Sequence, residues 1–291
     1  MLLDTSSLLY RAFFALPSSI TDAKGRPVNA VHGYLDMVAR LFRERGPDEI
    51  VHCLDDDWKP APRVAAYDGY KSQRVEEPDE LTEQFELLGQ VLRAFGMAQA
   101  WAPEWEAEDA IGTLCAQSPR RDRIDIVTGD RDLLQLVRDP GVRVLITRRG
   151  VSDLAEMDEA GVEEKYGIRP QRYADFATLR GDPSDALPGI VGVGEKTALA
   201  MVKAYPTIED MVEDARAPKS SHKPLKGSAA LKARVVAAAD YLEAMRDVVP
   251  IRTDLEVIVE AEPRDDAKLD RIAKARRLTG PVRRVREALG A

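Results

Sequence analysis

The sequence has little of several features that would define its class. Its 291 residues include two cysteines, Cys53 and Cys115, so neither a disulfide framework nor a cysteine-based zinc site is indicated. No apolar run approaches the roughly 18 residues that a transmembrane helix requires. The first residues also lack the basic and apolar segments of a signal peptide. These absences predict a cytoplasmic protein with no membrane partner.

An excess of basic residues is missing as well. The 42 lysines and arginines are outnumbered by 50 aspartates and glutamates, and the net charge of −8 argues at first against a nucleic-acid partner. Setting aside nine clustered acids as metal ligands would bring that charge from −8 to +1. Local basic patches could then still face a phosphate backbone, so the net charge does not decide the partner.

The acids that are present form five short clusters, most of them at the end of a predicted strand. Ligands of open α/β sheets bind beyond the carboxyl ends of the strands, where acids from separate strands can meet. So many like charges would raise one another's pKa values, and a divalent cation would relieve that repulsion. Oxygen ligands favour Mg²⁺ or Mn²⁺, so we predict a metal-dependent enzyme acting on phosphate. The nine acids are Asp4, Asp55, Glu106, Glu108, Asp109, Asp130, Asp132, Asp182 and Asp185.

Each acid also has a structural explanation when it is taken alone. A single aspartate after a strand is commonly a turn residue or a helix N-cap. Glu106, Glu108 and Asp109 could simply be acids favoured by the positive end of a helix dipole. Capping, however, requires one acid per helix rather than three within four residues. The conjunction of all five clusters therefore favours a metal site.

The order of the predicted elements indicates an α/β protein with a mainly parallel central sheet and helices on both faces. From about residue 156 the pattern becomes helical, and Val249–Val259 is predicted to be a late extended segment returning to the sheet edge. The loop Pro218–Pro224 is the candidate for a mobile segment. The predicted strands are 1–3, 49–54, 98–101, 124–128 and 142–147. The predicted helices are 28–44, 79–95, 106–117, 131–138, 158–166, 170–180, 194–204, 207–215 and 228–247.

A glycine-rich segment, Gly189–Ala198, nearly matches a phosphate-binding P-loop. Glu195 stands between Gly194 and the pair Lys196-Thr197, however, and no strand is predicted before it. Its structural explanation is a turn between helices. Its functional explanation is a tight hairpin whose N–H groups lead into a helix N-terminus, an anion site suited to the phosphates of one DNA strand.

A second candidate for nucleic-acid binding is the stretch Trp58–Arg74, which interleaves cations with aromatic rings. A solvated loop would explain it, but so would a channel that attracts and stacks a single strand. Its place after Asp55 would set it over the metals. The stretch contains Lys59, Arg63, Lys71, Arg74, Trp58, Tyr67 and Tyr70. The histidines His32, His52 and His222 have no metal-ligand spacing and are predicted to be structural.

These motifs together resemble the bacterial 5′–3′ exonucleases, or flap endonucleases, a family that includes the N-terminal domain of DNA polymerase I. The resemblance runs from Leu2 to about Val259, and the absence of a polymerase-length extension suggests a stand-alone form. The segments that carry it are Leu3–Ala12, Leu54-Asp55, Tyr70–Arg74, Glu106–Asp109, Thr128–Leu133 and Gly181–Ala198.

The chain departs from the family pattern at three positions. Thr5 stands at the usual glycine, Glu108 at the usual middle aspartate, and Ala186 at the usual asparagine. None of these changes removes a carboxylate. Because Glu108 has one extra methylene, we expect it to move its oxygens or to admit a different metal arrangement.

The resemblance implies three regions: a nuclease core over 1–155 with a helical arch at 58–95, a helical DNA-binding region over 156–250, and a C-terminal segment over 251–291. A helix-hairpin-helix (helix-three-turn-helix) motif would lie at 189–198, with K⁺ as a candidate ion. Asp4, Asp55, Glu106 and Glu108 would serve one Mg²⁺ or Mn²⁺ ion. Asp130, Asp132 and Asp185 would serve a second ion. Asp109 and Asp182 would bridge the two ions or contact the ligands rather than the ions. Lys71 and Arg74 would be catalytic, and DNA would contact Tyr70, Gly189, Gly192, Gly194, Lys196 and Thr197.

The implied activity is cleavage of DNA at free 5′ ends and 5′ flaps, with nicked or gapped DNA and RNA primers as further candidate substrates. Three other functions stay open. They are a non-catalytic or weakly active branched-DNA binding protein, a P-loop NTPase, and a single-strand RNase on a related acidic core.

Overall fold

A single sheet orders the N-terminal half of the chain. The computed structural model describes residues 1–74, 78–119 and 121–290. Across the seven-stranded sheet the order is β6-β5-β4-β1-β2-β3-β7, and the five central strands are parallel while both edge strands are antiparallel. The strands are β1 (Leu2–Asp4), β2 (Val51–Cys53), β3 (Ala98–Trp101), β4 (Ile124–Thr128), β5 (Val142–Thr147), β6 (Leu154–Met157) and β7 (Ile258–Glu260).

Helices cover both faces of this sheet, as a mainly parallel sheet requires. Successive side chains of β1 point to opposite faces. Leu2 joins the core shared with the helix at 107–117 and the later helical region, whereas Leu3 joins the core shared with the helices at 5–15, 29–45, 79–95 and 279–288. The N-terminal helices are α1 (Thr5–Ala15), α2 (Asn29–Arg45), α3 (Ala61–Ala66), α4 (Asp79–Phe95) and α5 (Ala107–Gln117), and α13 is Thr279–Ala288.

The second half of the chain is mostly helical. Short 3-10 turns at Asp132–Leu136, Pro170–Arg172 and Pro183–Asp185 connect or precede its elements. The last two helices pack against α2 and α4, where Arg284 Nε donates to Asp36 Oδ1 at 2.7 Å. The remaining helices are α6 (Glu159–Tyr166), α7 (Tyr173–Arg180), α8 (Glu195–Ala204), α9 (Ile208–Arg216), α10 (Ala229–Ala237), α11 (Ala239–Val248) and α12 (Asp266–Ala275).

The predicted mainly parallel sheet is confirmed. The predicted return of the chain to the sheet edge is also confirmed, but only the last two residues of the segment 249–259 belong to β7, which pairs with β3. Three elements, α1, α3 and β6, are absent from the predicted strands and helices, and two predicted helices differ from the structure. The helix predicted at 131–138 is a 3-10 turn, because the N–H of Arg138 turns away to Val142 O. The helix predicted at 228–247 divides at Ala238, whose ψ of 5° departs from helical geometry.

Two predictions about segments stay predictions. Part of the proposed arch, residues 75–77, lies outside the described residues. The loop Pro218–Pro224 is held near its middle, because Asp214 Oδ1 accepts the N–H of Ser221 at 2.7 Å and Asp214 O accepts the hydroxyl of Ser220 at 3.0 Å. In the described part of the chain, no helix has the length and apolar character needed to cross a bilayer.

Candidate active site

The carboxyl edge of the sheet carries a cavity of about 520 Å³. Parallel register brings strand ends to this edge, since Asp4 is level with Cys53 of β2 and Leu3 is level with Val127 of β4. Six of the nine predicted metal ligands line the cavity, together with both predicted catalytic cations. The lining acids are Asp4, Asp55, Glu106, Glu108, Asp130 and Asp185, and the cations are Lys71 and Arg74.

Asp4 is held at the centre of the sheet by uncharged groups. Its Oδ1 accepts the N–H of Ser7 at 3.2 Å, and its Oδ2 accepts the hydroxyl of Thr128 at 2.5 Å. The same Thr128 hydroxyl oxygen accepts the N–H of Asp130 at 2.8 Å, so one buried side chain links acids from β1 and β4. Burial raises the pKa of Asp4 to about 7, and the charges of Asp55 and Asp130 add to that rise.

Glu106, Glu108 and Asp109, at the start of α5, are held by a cation. Each offers one oxygen, and these oxygens lie within 4.8 Å of one another, which is compact enough for a metal site. Arg63 of α3 is wholly buried beside them. Its Nη1 lies 2.5 Å from Glu106 Oε2 and 3.0 Å from Glu108 Oε1, and its Nη2 lies 2.8 Å from Asp109 Oδ1. Sequence spacing gave no indication of this role, because Arg63 lies 43 residues before Glu106.

Asp109 faces away from the cavity. It is fully buried, and besides Arg63 its Oδ1 accepts the N–H of Arg252 at 2.9 Å. Asp182 is also turned aside, since its Oδ1 accepts the N–H and the hydroxyl of Ser184 at 2.8 and 2.6 Å. Neither residue lines the cavity, so the structure places both behind the acids that do.

Asp130 and Asp132 form the β4 side of the site. Asp130 Oδ1 accepts the N–H of Asp132 at 2.9 Å, and Asp132 does not line the cavity. Asp130 keeps a solvent-accessible edge, yet surrounding protein atoms raise its pKa to about 6, and the charge of Glu108 contributes. Burial and then the charge of Asp130 also raise the pKa of Asp132.

Lys71 and Arg74 are engaged with the acids they lie beside. The Lys71 ammonium contacts Glu106 Oε1 and donates to Trp58 O at 3.2 Å. Arg74 Nη2 lies 2.8 Å from Asp185 Oδ1, and the backbone N–H of Lys71 donates to Asp185 O at 2.9 Å. The predicted DNA contact Tyr70 is 2% exposed, and its hydroxyl donates to Glu106 Oε2 at 2.6 Å. The base of the predicted arch is therefore bound to the carboxylates.

The donor set fits a divalent cation. The cavity-lining acids offer oxygen atoms, which Mg²⁺ and Mn²⁺ prefer. Burial, and after it the charges of neighbouring acids, raises the pKa values of Asp4 and Asp130. A bound cation would favour their ionised forms, because opposite charge lowers carboxyl pKa values.

The glycine hairpin joins a 3-10 turn to α8, so no strand precedes it and the P-loop geometry is absent. Gly189 is buried, has a φ of +64°, and donates its N–H to the Tyr241 hydroxyl at 3.2 Å. A Cβ there would lie 2.5 Å from backbone atoms of Arg180 and Gly181. The structure therefore uses Gly189 for close backbone packing.

The other predicted hairpin contacts are placed differently. Gly192, Gly194 and Lys196 are exposed, and Thr197 is half-buried in the first turn of α8. Apart from its chain neighbours, no described residue has an atom within 4 Å of the position that a Cβ on Gly194 would take. The end of the hairpin that leads into α8 is thus open to a ligand, and its first N–H groups have no partners within the helix.

Comparison with known proteins identifies relatives along the whole chain. The model of the 5′-3′ exonuclease N-terminal resolvase-like domain matches residues 1–167, and that of the 5′-3′ exonuclease C-terminal SAM fold matches residues 168–273. A 5′-3′ exonuclease of Streptomyces coelicolor is 40% identical over 100% of both chains. One of Mycobacterium tuberculosis is 40% identical over 92% of each. DNA polymerase I of Mycobacterium bovis is 44% identical over 74% of this chain and 24% of its own length.

Solved structures share the fold at lower identity. The T5 D15 protein co-crystallised with metal ions has a TM-score of 0.66 at 16% identity, covering 100% of this chain and 98% of that one. The catalytic core of Rad2 in complex with DNA substrate has a TM-score of 0.62 at 17% identity, covering 99% and 90%. Both similarities extend over the core and the helical region.

Proposed function

Since the chain belongs to the 5′-3′ exonuclease family, we propose that it is a divalent-metal-dependent nuclease that hydrolyses DNA phosphodiesters at free 5′ ends and 5′ flaps. One observation supports this most directly. Six carboxylates from five parts of the chain share one cavity with Lys71 and Arg74, the arrangement that phosphodiester hydrolysis with metal ions needs. The related T5 D15 protein was crystallised with metal ions, and the Rad2 core with DNA.

The ions would be Mg²⁺ or Mn²⁺, two or more at once. Asp4, Asp55, Glu106 and Glu108 would hold one, and Asp130, Asp132 and Asp185 another, with Asp109 and Asp182 supporting from behind. Cations bound there supply Lewis-acid stabilisation of charge on the phosphodiester and make water a stronger nucleophile.

The chain's own cations complete the site. Lys71 and Arg74 exchange their partners Glu106 and Asp185 for the scissile phosphate, whose charge they neutralise as preorganised cations do in phosphoryl transfer. Thr128 holds the carboxylate of Asp4 next to the backbone N–H of Asp130 while this exchange occurs.

DNA would be bound by shape. We assign phosphate contacts to Gly192, Gly194, Lys196 and Thr197. Gly189 would maintain the conformation of the hairpin, and Tyr70 would anchor the arch. K⁺ is a candidate ion at the hairpin. Contacts to phosphates carry no base information, so cleavage should follow the position of the 5′ end, flap, nick or gap rather than the sequence. Removal of RNA primers in the cytoplasm belongs to the same proposal.

The decisive experiment pairs Mn²⁺ titration calorimetry with cleavage of a labelled 5′-flap DNA. Asp130→Asn should weaken Mn²⁺ binding and reduce cleavage by more than about 100-fold, because even groups behind metal ligands commonly contribute 10- to 100-fold. Asp125→Asn is the matched control. Asp125 lies in β4, the strand that Asp130 follows, but it pairs with Arg143 at 2.6 Å and does not line the cavity.

Two results would contradict the proposed function and favour another one. Flap binding without any cleavage, and no Mn²⁺ site lost in Asp130→Asn, would indicate a non-catalytic branched-DNA binding protein. Faster cleavage of linear single-stranded RNA than of flap DNA would indicate an RNase.

The hairpin assignment has its own test. Gly194→Ala should leave the free energy of unfolding unchanged within about 1 kcal/mol, because the new methyl group meets open space. It should weaken flap binding if phosphates approach this backbone. Gly189→Ala should instead destabilise the fold, since its Cβ meets backbone at 2.5 Å. Equal DNA affinity of Gly194→Ala and the wild type would exclude close approach at Gly194.

A further inference from the structure

Three polar side chains form a chain of hydrogen bonds in the apolar layer beneath Asp4. They are Thr5 at the start of α1, Tyr34 of α2 and His52 of β2, and all three are wholly buried. Tyr34 Oη lies 2.6 Å from His52 Nδ1 and 3.0 Å from Thr5 Oγ1. Thr5 Oγ1 in turn donates to Leu3 O at 3.4 Å. This series of hydrogen bonds therefore ends on Leu3 and Thr5, the residues before and after Asp4.

One arrangement of protons satisfies every donor in this chain. His52 Nδ1–H donates to Tyr34, the Tyr34 hydroxyl donates to Thr5, and the Thr5 hydroxyl donates to Leu3 O. The group left over is His52 Nε2, which has no partner among residues 1–74, 78–119 and 121–290. In this tautomer Nε2 is a bare acceptor, which avoids burying an unpaired N–H.

The chain of hydrogen bonds is not a charge switch. Burial lowers the pKa of His52 to about 3, so the imidazole stays neutral at ordinary pH. Burial also raises the pKa of Tyr34 far above its usual range. Protonation therefore does not alter these contacts near neutrality.

Stability alone does not require these three groups, because replacing buried hydrogen-bonded partners together by apolar groups of the same shape can be nearly neutral or stabilising. What distinguishes this set is its location, because it contacts the carbonyl of Leu3 before Asp4 and the side chain of Thr5 after it, where β1 turns into α1. The Asp4 carboxylate itself is oriented by the N–H of Ser7 and the hydroxyl of Thr128.

We propose that Thr5, Tyr34 and His52 are positioning residues that fix the backbone of Asp4 for divalent-cation binding. This inference rests on the proposed function, in which Asp4 is a metal ligand. It also gives a role to Thr5, where the chain departs from the family motif, and to His52, which the sequence suggested was only structural.

The test is Tyr34→Phe, which removes one hydroxyl and keeps the ring. With folded protein confirmed by circular dichroism, the Kd for Mn²⁺ should rise by about 10-fold, at the lower end of the range for groups behind metal ligands. Flap cleavage should fall at limiting Mn²⁺ and recover at saturating Mn²⁺. Tyr166→Phe, which removes a buried hydroxyl far along the chain in α6, should change neither quantity.

The triple replacement Thr5→Val, Tyr34→Phe, His52→Val provides a second variant should Tyr34→Phe fold poorly. It leaves no unpaired donor, so it should fold and still bind Mn²⁺ about 10-fold more weakly. Wild-type Mn²⁺ affinity in a folded Tyr34→Phe or triple variant would overturn the positioning role and leave the proposed nuclease intact. Absence of Mn²⁺ binding in the wild type would overturn the nuclease proposal itself.

Discussion

The acids of the cavity fall into two halves that neutralise their charge in different ways. On the α5 side, Glu106 and Glu108 contact the guanidinium of Arg63, and Glu106 also contacts Lys71. On the strand side, Asp4 is bound by a hydroxyl and a backbone N–H. The first half carries its own cations, whereas hydrogen bonds from neutral groups only partly offset the charge of Asp4.

This difference indicates how the protein can fold before it binds metal. The internal cations Arg63 and Lys71 offset the charges of Glu106 and Glu108 at the start of α5, although burial still raises the pKa of the enclosed Asp109 to about 7. On the strand side, burial and then the neighbouring acids raise the pKa of Asp4 to about 7 and that of Asp130 to about 6. Metal binding should therefore change the strand side more than the α5 side.

Replacing Arg63 should lower the free energy of unfolding more than any other change to the two halves. Arg63→Met leaves three acids without their buried cation, and breaking a buried ion pair from one side commonly costs about 3–5 kcal/mol. Urea denaturation in the presence of a chelator measures this loss. Mn²⁺ should then stabilise Arg63→Met more than the wild type, because a cation is again available.

Arg143→Met is the control for that experiment. Arg143 pairs with Asp125 and Glu156, but its side chain is 46% exposed, so its loss should cost at most about 1 kcal/mol. Equal destabilisation of the two variants would show that Arg63 does not neutralise the α5 acids.

The raised pKa values of the strand-side acids should be visible in the pH dependence of the free energy of unfolding. A carboxyl whose folded pKa is raised holds a proton that the unfolded chain has lost, so metal-free stability falls as pH rises from about 4 to about 7. Asp4, with its pKa of about 7, should contribute about 2 kcal/mol or more to this fall. Asp4→Asn should make the slope shallower in a chelator-treated urea series.

Added Mn²⁺ should reverse that slope, because cation binding requires ionised carboxylates and strengthens as pH rises. The same fall in Asp4→Asn as in the wild type would assign the pH dependence to other acids and contradict the pKa given for Asp4.

A smaller effect should follow from Thr128, which joins the two strand-side acids. Thr128→Val keeps the shape but removes both hydrogen bonds, and we expect the Kd for Mn²⁺ to rise on the order of 10-fold. Thr128→Ser keeps the hydroxyl and should restore most of the affinity. Calorimetry that finds both variants equally weak would make packing of the threonine methyl, rather than its hydroxyl, the important feature.

The sequence predicted the strand side of this site better than the α5 side. Asp4, Asp55 and Asp130 follow apolar strands, and parallel pairing brings such ends together without further information. Arg63 depends on a contact across 43 residues. The residues next to Arg63 in the sequence indicate only a basic loop, so its burial among acids could not be predicted from the local sequence.

Elements with weak local patterns were missed for similar reasons. β6 is a partly exposed antiparallel edge strand, and only Met157 of its four residues is buried. Asp109 belongs to the same motif as Glu106, yet its helical position turns it toward Arg63 and Arg252 rather than the cavity. Motif membership indicated the acids, and packing decided which of them face the substrate.

Glu108 is the residue at which the two halves meet, so changing it should have the smallest but most specific effect. It contacts Arg63 at 3.0 Å, and its charge is the leading electrostatic contribution to the raised pKa of Asp130. Glu108→Asp keeps the charge but shortens the side chain, so unfolding free energy should drop by less than about 1 kcal/mol. The ratio of Mn²⁺ to Mg²⁺ affinity should change, since the smaller Mg²⁺ demands stricter geometry. Calorimetry with both ions, beside Glu86→Asp on an exposed position of α4, measures this. An unchanged ratio would place Glu108 wholly with the α5 half, as a partner of Arg63 and not a ligand.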